Sequence, residues 1–176
     1  LVLAENETGV ERASIELIVK PEGYTIPTQA SNIHGITTEL ATAVGVPLMT
    51  ALSVFCKLRE IADEIVAYNL PFDELVMAAA IARSGRKPSH PGPAKRTCAM
   101  QLATPIVNLP PTAKMIAAGF VDKPKPPNLT EAHKFFFDGR GFEGAHGALT
   151  DTRACMRVYN AIIARTSIYD AVEQGV

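Results

Sequence analysis

The spacing of apolar residues along this chain changes period several times, and each change marks an element. LVLAE (1–5) and ASIELIVK (13–20) alternate as strands do, and ENETGVER between them carries the Asn, Thr and Gly of a hairpin turn. The pattern predicts an antiparallel pair. ASNIHGITTELATAVG (30–45) mixes a short turn with a helical stretch that stops at Gly45. PLMTALSVFCKLREIAD (47–63) opens on Pro47 and places Leu48, Leu52, Phe55, Leu58 and Ile61 near a 3.6-residue period, an amphipathic helix. EIVAYN (64–69) reads as a short buried strand. The helix it feeds, LPFDELVMAAAIARSG (70–85), has Asn69 near its cap, Pro71 in its first turn and Gly85 at its stop.

Proline breaks the region from Pro88 to Pro127 into short pieces, with CAMQLATPIV and PTAKMIAAGF as its short helices. NLTEAHKFFFD (128–138) is a further helix capped by Asn128 or Thr130. The last helix starts near Leu149, with Leu149, Met156, Tyr159 and Ile163 on one stripe. Asp151 falls off that stripe, and His146 lies just ahead in a glycine-flanked loop. Strand–turn–helix alternation makes the fold class α/β, and no internal repeat or low-complexity tract interrupts it.

Length and composition narrow the picture to one domain spanning 1–176. The chain has 176 residues, 47% hydrophobic and 20% charged, with no apolar run near the length of a membrane span. Cys56, Cys98 and Cys155 are odd in number and lack metal-ligand spacing, which points to a reducing, cytoplasmic setting. No secretory signal is visible, and the opening LVLAENETG looks cut. The net charge of −1 conceals an asymmetry: residues 1–82 hold 4 basic and 11 acidic side chains, residues 83–176 hold 13 and 7. The stretch from Arg83 to Arg96 has five cations, Arg86 and Lys87 among them, and no acid. It is either a solvated loop or a contact for a phosphate backbone.

Three segments then stand in order: IHGIT (33–37), VAYNLPFDE (66–74) and AHGALTDTRA (145–154). Individually each has an ordinary explanation. Asp73 and Asp151 suit the positive end of a helix dipole, worth a few tenths to about 1 kcal/mol, and His146 suits a surface cap. Together they resemble the DEDDh family of 3′→5′ exonucleases, similar to the proofreading epsilon subunit of bacterial replicative DNA polymerase. That family's second motif reads approximately H-N-x-x-F-D after a strand. Asn69, Phe72 and Asp73 match it, with Tyr68 where histidine is usual; His146 and Asp151 match the third motif, H-x4-D.

The resemblance, which runs from Glu16 to about Tyr159, implies an RNase H-like mixed sheet of about five strands with helices on both sides. It also implies a two-metal mechanism, in which Mg²⁺ or Mn²⁺ stabilises the charge that builds on the phosphate. Asp73 and Asp151 are the metal-binding carboxylates it assigns. His146, with an ordinary pKa near 6.5, would take the proton of the attacking water. His34, Thr37 and Asn69 would bind substrate, and Phe72 would pack the core below the site. The implied partner is nucleic acid with a free 3′ end, DNA in preference to RNA, and a DNA polymerase is a further one; no membrane is involved.

One part of the family pattern is out of place. Its first motif, Asp-x-Glu on a central strand, has only Glu5-Asn6-Glu7-Thr8-Gly9 to answer it, and Glu5 lies 29 residues before His34, too close by the family's interval. ENETG fits a hairpin turn better. The expectation is therefore a chain that begins after its first strand and has little or no nuclease activity as given. Three functions stay open: a DNA exonuclease, a non-catalytic nucleic-acid-binding or polymerase-associated module, and an RNA-trimming relative.

Overall fold

The N-terminal hairpin forms, but it is shorter than the apolar alternation implies. In a computed structural model describing residues 1–85 and 95–173, with side chains through 166, β1 (Val2–Ala4) pairs antiparallel with β2 (Glu11–Ser14). ENETG makes the turn, with Glu5 N–H donating to Val10 O (3.0 Å) and Gly9 N–H to Glu5 O (2.9 Å). The second strand falls at 11–14 rather than 13–20. β1 is only three residues long, so the chain beyond Ile15 has no ladder to join. Val46 N–H donates instead to Ile18 O, and Lys20 N–H to Val46 O, both at 2.8 Å.

Three helices follow: α1 (Thr28–His34), α2 (Thr38–Val44) and α3 (Leu48–Ile61). Gly45 ends α2 where nothing larger fits, because an added Cβ would lie 2.2 Å from Ala41 O and 2.7 Å from Lys20 N. β3 (Glu64–Ala67) then feeds α4 (Leu70–Arg83), and β4 (Lys95–Cys98) returns parallel to β3, Glu64 opposite Lys95 and Ala67 opposite Cys98.

β4 corrects the reading of the basic stretch. Lys95 and Arg96 belong to a strand, and both are neutralised, Lys95 by Glu64 (2.8 Å) and Arg96 by Glu74 (2.9 Å). Four residues with two cations carry no strand signature by themselves; pairing with β3 makes the strand. Arg86 and Lys87 lie outside the described residues.

The C-terminal half is helical: α5 (Ala99–Val107), α6 (Ala113–Ala117), α7 (Leu129–Phe136) and α8 (Ala148–Glu173). Asn128 caps α7 in a reciprocal box, its Oδ1 accepting Glu131 N–H (2.8 Å) while Glu131 accepts Asn128 N–H (2.7 Å). One core cluster joins Ala103, Val107, Ala132, Val158 and Ile162. A second joins Ala99, Cys155 and Tyr159 against Val66 and Tyr68, which seats α8 on β3. Alanines at these contacts let the helices approach closely.

The buried stripe of α8 therefore has a different phase from the one its large apolar residues suggest. Cys155, Val158 and Ile162 are buried, whereas Ile163 is 41% exposed. Small residues, invisible to a count of bulky ones, set the rotation. Asp151 stands at the head of the line Asp151–Cys155–Val158–Ile162, at i, i+4, i+7 and i+11, and not off the core face.

The architecture is mixed α/β, with the described strands in two separate pairs, one antiparallel and one parallel. α8 packs against both β1 and β3. Apolar surface stays open along α4, where Phe72, Leu75 and Val76 are 61%, 69% and 48% exposed. Among the described residues no helix is long and apolar enough to cross a membrane.

Candidate active site

Asp73 and Asp151 occupy equivalent positions on different helices. Each lies in the first turn, Asp73 on α4 and Asp151 on α8, where the N-terminal partial charge favours an anion. α4 begins at the carboxyl end of β3, and α5 begins at the carboxyl end of the parallel strand β4. Such an edge is where open α/β sheets place ligands. α8 joins them through Cys155 and Tyr159, packed on Ala99, Val66 and Tyr68.

The electrostatics tie the two acids to one locality. Burial pushes the Cys155 thiol up to about 12, and the nearby charge of Asp73 adds to the shift. Cys155 is one helical turn beyond Asp151, so Asp73 acts on the same end of α8. Asp73 itself is held above the ordinary carboxylate range by desolvation, opposed only by its own backbone N–H. No ion pair to a described cation relieves it. A carboxylate kept charged without a counterion is poised to gain from one.

His146 is brought to Asp151 directly. Its backbone N–H donates to Asp151 Oδ1 at 3.2 Å, its φ is 75°, and its side chain is exposed. The loop that carries it is anchored from behind by His133, which is 1% exposed. The His133 ring lies between Phe137 and Phe142, with Nδ1 2.9 Å from Arg140 O. Its Nε2 has no partner among the described residues. One histidine in a polar, charged helix offers no sequence signal for that role.

The other assigned residues separate into local roles. Asn69 takes the N-cap position of α4 with φ 72°, but makes no cap bond through its side chain, which leaves the amide uncommitted among the described residues. Thr37 caps α2, accepting Leu40 N–H at 3.2 Å, and His34 Nδ1 accepts Ile36 N–H at 3.1 Å. No described hydrogen bond or ion pair joins His34 or Thr37 to Asp73, His146 or Asp151. Phe72 corrects its expectation: at 61% exposure it is not core. It points from the first turn away from the buried Leu70 side of α4. Tyr68, at the position where the motif has histidine, is structural, its hydroxyl 2.8 Å from Pro127 O and 3.1 Å from Asn128 O.

Two carboxylates have the donor chemistry for Mg²⁺ or Mn²⁺ but not the number. Among the described residues no three His, Cys, Asp or Glu side chains gather as a metal-holding group. Glu5 does not fill the gap, because it is committed to the hairpin turn through Arg12 and the Thr8 hydroxyl. Glu16 approaches α8, accepting Leu149 N–H at 3.1 Å, but serves there as a helix cap. The described residues alone therefore do not fit a two-metal centre. No protein-family model matches this chain, and no curated protein matches it.

Proposed function

We propose that this chain forms a 3′→5′ exonuclease domain of the DEDDh type, acting on DNA. What supports the reading is that Asp73 and Asp151 each stand in the first turn of a helix, Asp73 close enough to α8 for its charge to act on Cys155, while Asp151 accepts the backbone N–H of His146. His146 accepts the proton of the attacking water, the helix starts of α4 and α8 favour the phosphate's charge, and the Asn69 amide orients it. Asp73 and Asp151 would be this chain's ligands to Mg²⁺ or Mn²⁺, which together with further carboxylates would neutralise the charge on the phosphate. DNA rather than RNA follows the resemblance to proofreading enzymes.

The RNase H-like sheet is part of the same proposal. Two separate strand pairs both pack on α8, and two-stranded pairs are marginal by themselves; a strand joining β1 to β3 would make one sheet of them. In this reading the joining strand carries the further carboxylates.

The test is nucleotide release from 3′-labelled single-stranded DNA with Mg²⁺ or Mn²⁺. It compares the chain as given with the chain extended by an Asp-x-Glu strand, each with and without His146→Ala. Activity in the extended chain alone, lost with His146→Ala, supports the proposal. Silence of both folded proteins rejects it and favours a nucleic-acid-binding or polymerase-associated module. A matched RNA substrate cleaved faster than DNA makes the enzyme an RNA-trimming one.

A further inference from the structure

Cations among the described residues are held in two ways, by carboxylates or over rings, the latter including Arg83 over Tyr24 (6.0 Å) and Lys123 over Phe120 (5.3 Å). Lys95, Arg96, Lys125 and Arg153 each meet a glutamate at 2.6–2.9 Å. Arg157 and Arg165 meet rings instead. The Arg157 guanidinium lies 4.6 Å from the Phe137 centroid and that of Arg165 5.9 Å from Phe135, and neither has a carboxylate partner among the described residues. From Thr152 to Thr166 the helix contains no acidic residue. The one ion pair on the adjoining loop, Arg140–Asp138 at 3.7 Å, is almost fully exposed and weak.

A ring attracts a guanidinium by its quadrupole and takes up none of its five N–H donors. The fork therefore stays available, without a competing carboxylate among the described residues, for an anion that accepts planar, paired hydrogen bonds. Phe135, 43% exposed beside Arg165, adds an apolar platform. Charge for a backbone and a ring for a base are the two components of single-strand recognition. The rim also leads to the candidate site: Arg157 is six residues from Asp151, about 9 Å along the helix, and the chain leaving Phe137 reaches His146 nine residues on.

We propose that this arginine-over-phenylalanine rim binds single-stranded nucleic acid, Arg157 and Arg165 contacting two backbone phosphates and Phe135 stacking on a base. The choice of nucleic acid as the polyanion rests on the function proposed above; the surface itself does not depend on catalysis.

The experiment is fluorescence anisotropy of a short labelled oligothymidylate with the full chain in EDTA, over a series of salt concentrations. Arg157→Gln with Arg165→Gln should weaken binding about tenfold and flatten the salt slope by about 1.4, two contacts' worth for a single strand. Arg157→Lys with Arg165→Lys should keep most of the slope, which guards against misreading a folding defect. Phe135→Leu should lose about five- to tenfold in affinity with the slope unchanged. Lys57→Gln, remote on α3, should change nothing. Affinity and slope unmoved by the double glutamine variant overturn the proposal, as does polyglutamate competing as well as the oligonucleotide at equal charge. Because no turnover occurs in EDTA, intact binding by a chain with no nuclease activity counts against the exonuclease reading alone.

Discussion

Asp151 accepts the backbone N–H of His146 through Oδ1 at 3.2 Å, and this bond holds His146 in a left-handed backbone conformation, φ 75°. That conformation is uncommon for any side chain and costly for a β-branched one. The loop keeps it because the carboxylate at the start of α8 ties it down, which couples the position of the histidine to the acid beside which it would act.

His146→Gly should therefore be at least as stable as the parent, while His146→Val should lose about 1 kcal/mol or more. Thermal denaturation of the two variants checks this. A valine variant as stable as the glycine one would mean that the loop does not hold this geometry in solution.

Asp73 carries a cost of the opposite kind. Its folded-state pKa is raised by desolvation, so the folded chain binds a proton more readily than the unfolded chain. Stability then falls as pH rises through the window between the ordinary carboxylate value and the raised one. Asp73→Asn should raise Tm at neutral pH by about 1–2 °C, and the gain should shrink below the ordinary carboxylate range. A variant that melts lower at neutral pH contradicts the assignment.

Glu64 ties β3, β4 and α8 together. Its side chain, 5% exposed, takes Lys95 at 2.8 Å, the Thr97 hydroxyl and the Tyr159 hydroxyl at 3.1 Å. Burial alone would raise its pKa, but these three partners outweigh burial and lower it. Glu64→Ala should cost about 2 kcal/mol, measured by urea unfolding at neutral pH. The parent should also lose stability on acidification, as pH falls from the ordinary carboxylate value through the lowered one.

Glu11 and Arg153 clasp the hairpin to α8 through two bonds, Nε at 2.9 Å and Nη2 at 2.8 Å. Hydrogen bonds from Arg153, then Ser14, hold the Glu11 carboxyl down at about 2. This contact persists above the ordinary carboxylate value of 4.5 and is lost only as pH falls toward 2. Amide exchange should show the hairpin opening over that window in the parent and already open faster at neutral pH in Arg153→Ala.

Thiol chemistry reads out the approach of Asp73 to α8 without any activity. Cys98 and Cys155 are 7% and 6% exposed, whereas Cys56 is partly exposed, so Cys56 should alkylate first in the native chain. Asp73→Asn removes an anion near Cys155 and should move its alkylation to lower pH. An unchanged pH profile would separate Asp73 from α8.

The sequence by itself determined most of the elements and the local chemistry at their ends. The hairpin around ENETG, the helix after Pro47, the strand and helix around Asn69 and the Asn128 cap all follow from period, turn residues and capping, interactions within a few positions along the chain. The first-turn placement of Asp73 and Asp151 was legible for the same reason. Tertiary structure decided what depends on distant partners. β4 exists because Glu64 and its neighbours face Lys95–Cys98. The rotation of α8 is set by alanines and Cys155 that admit a close neighbour, which turned Asp151 toward the core line. Phe72 was left outside, and Tyr68 was given to the start of α7. A residue's face is fixed by what packs against it, and that is not encoded in the spacing of its own segment.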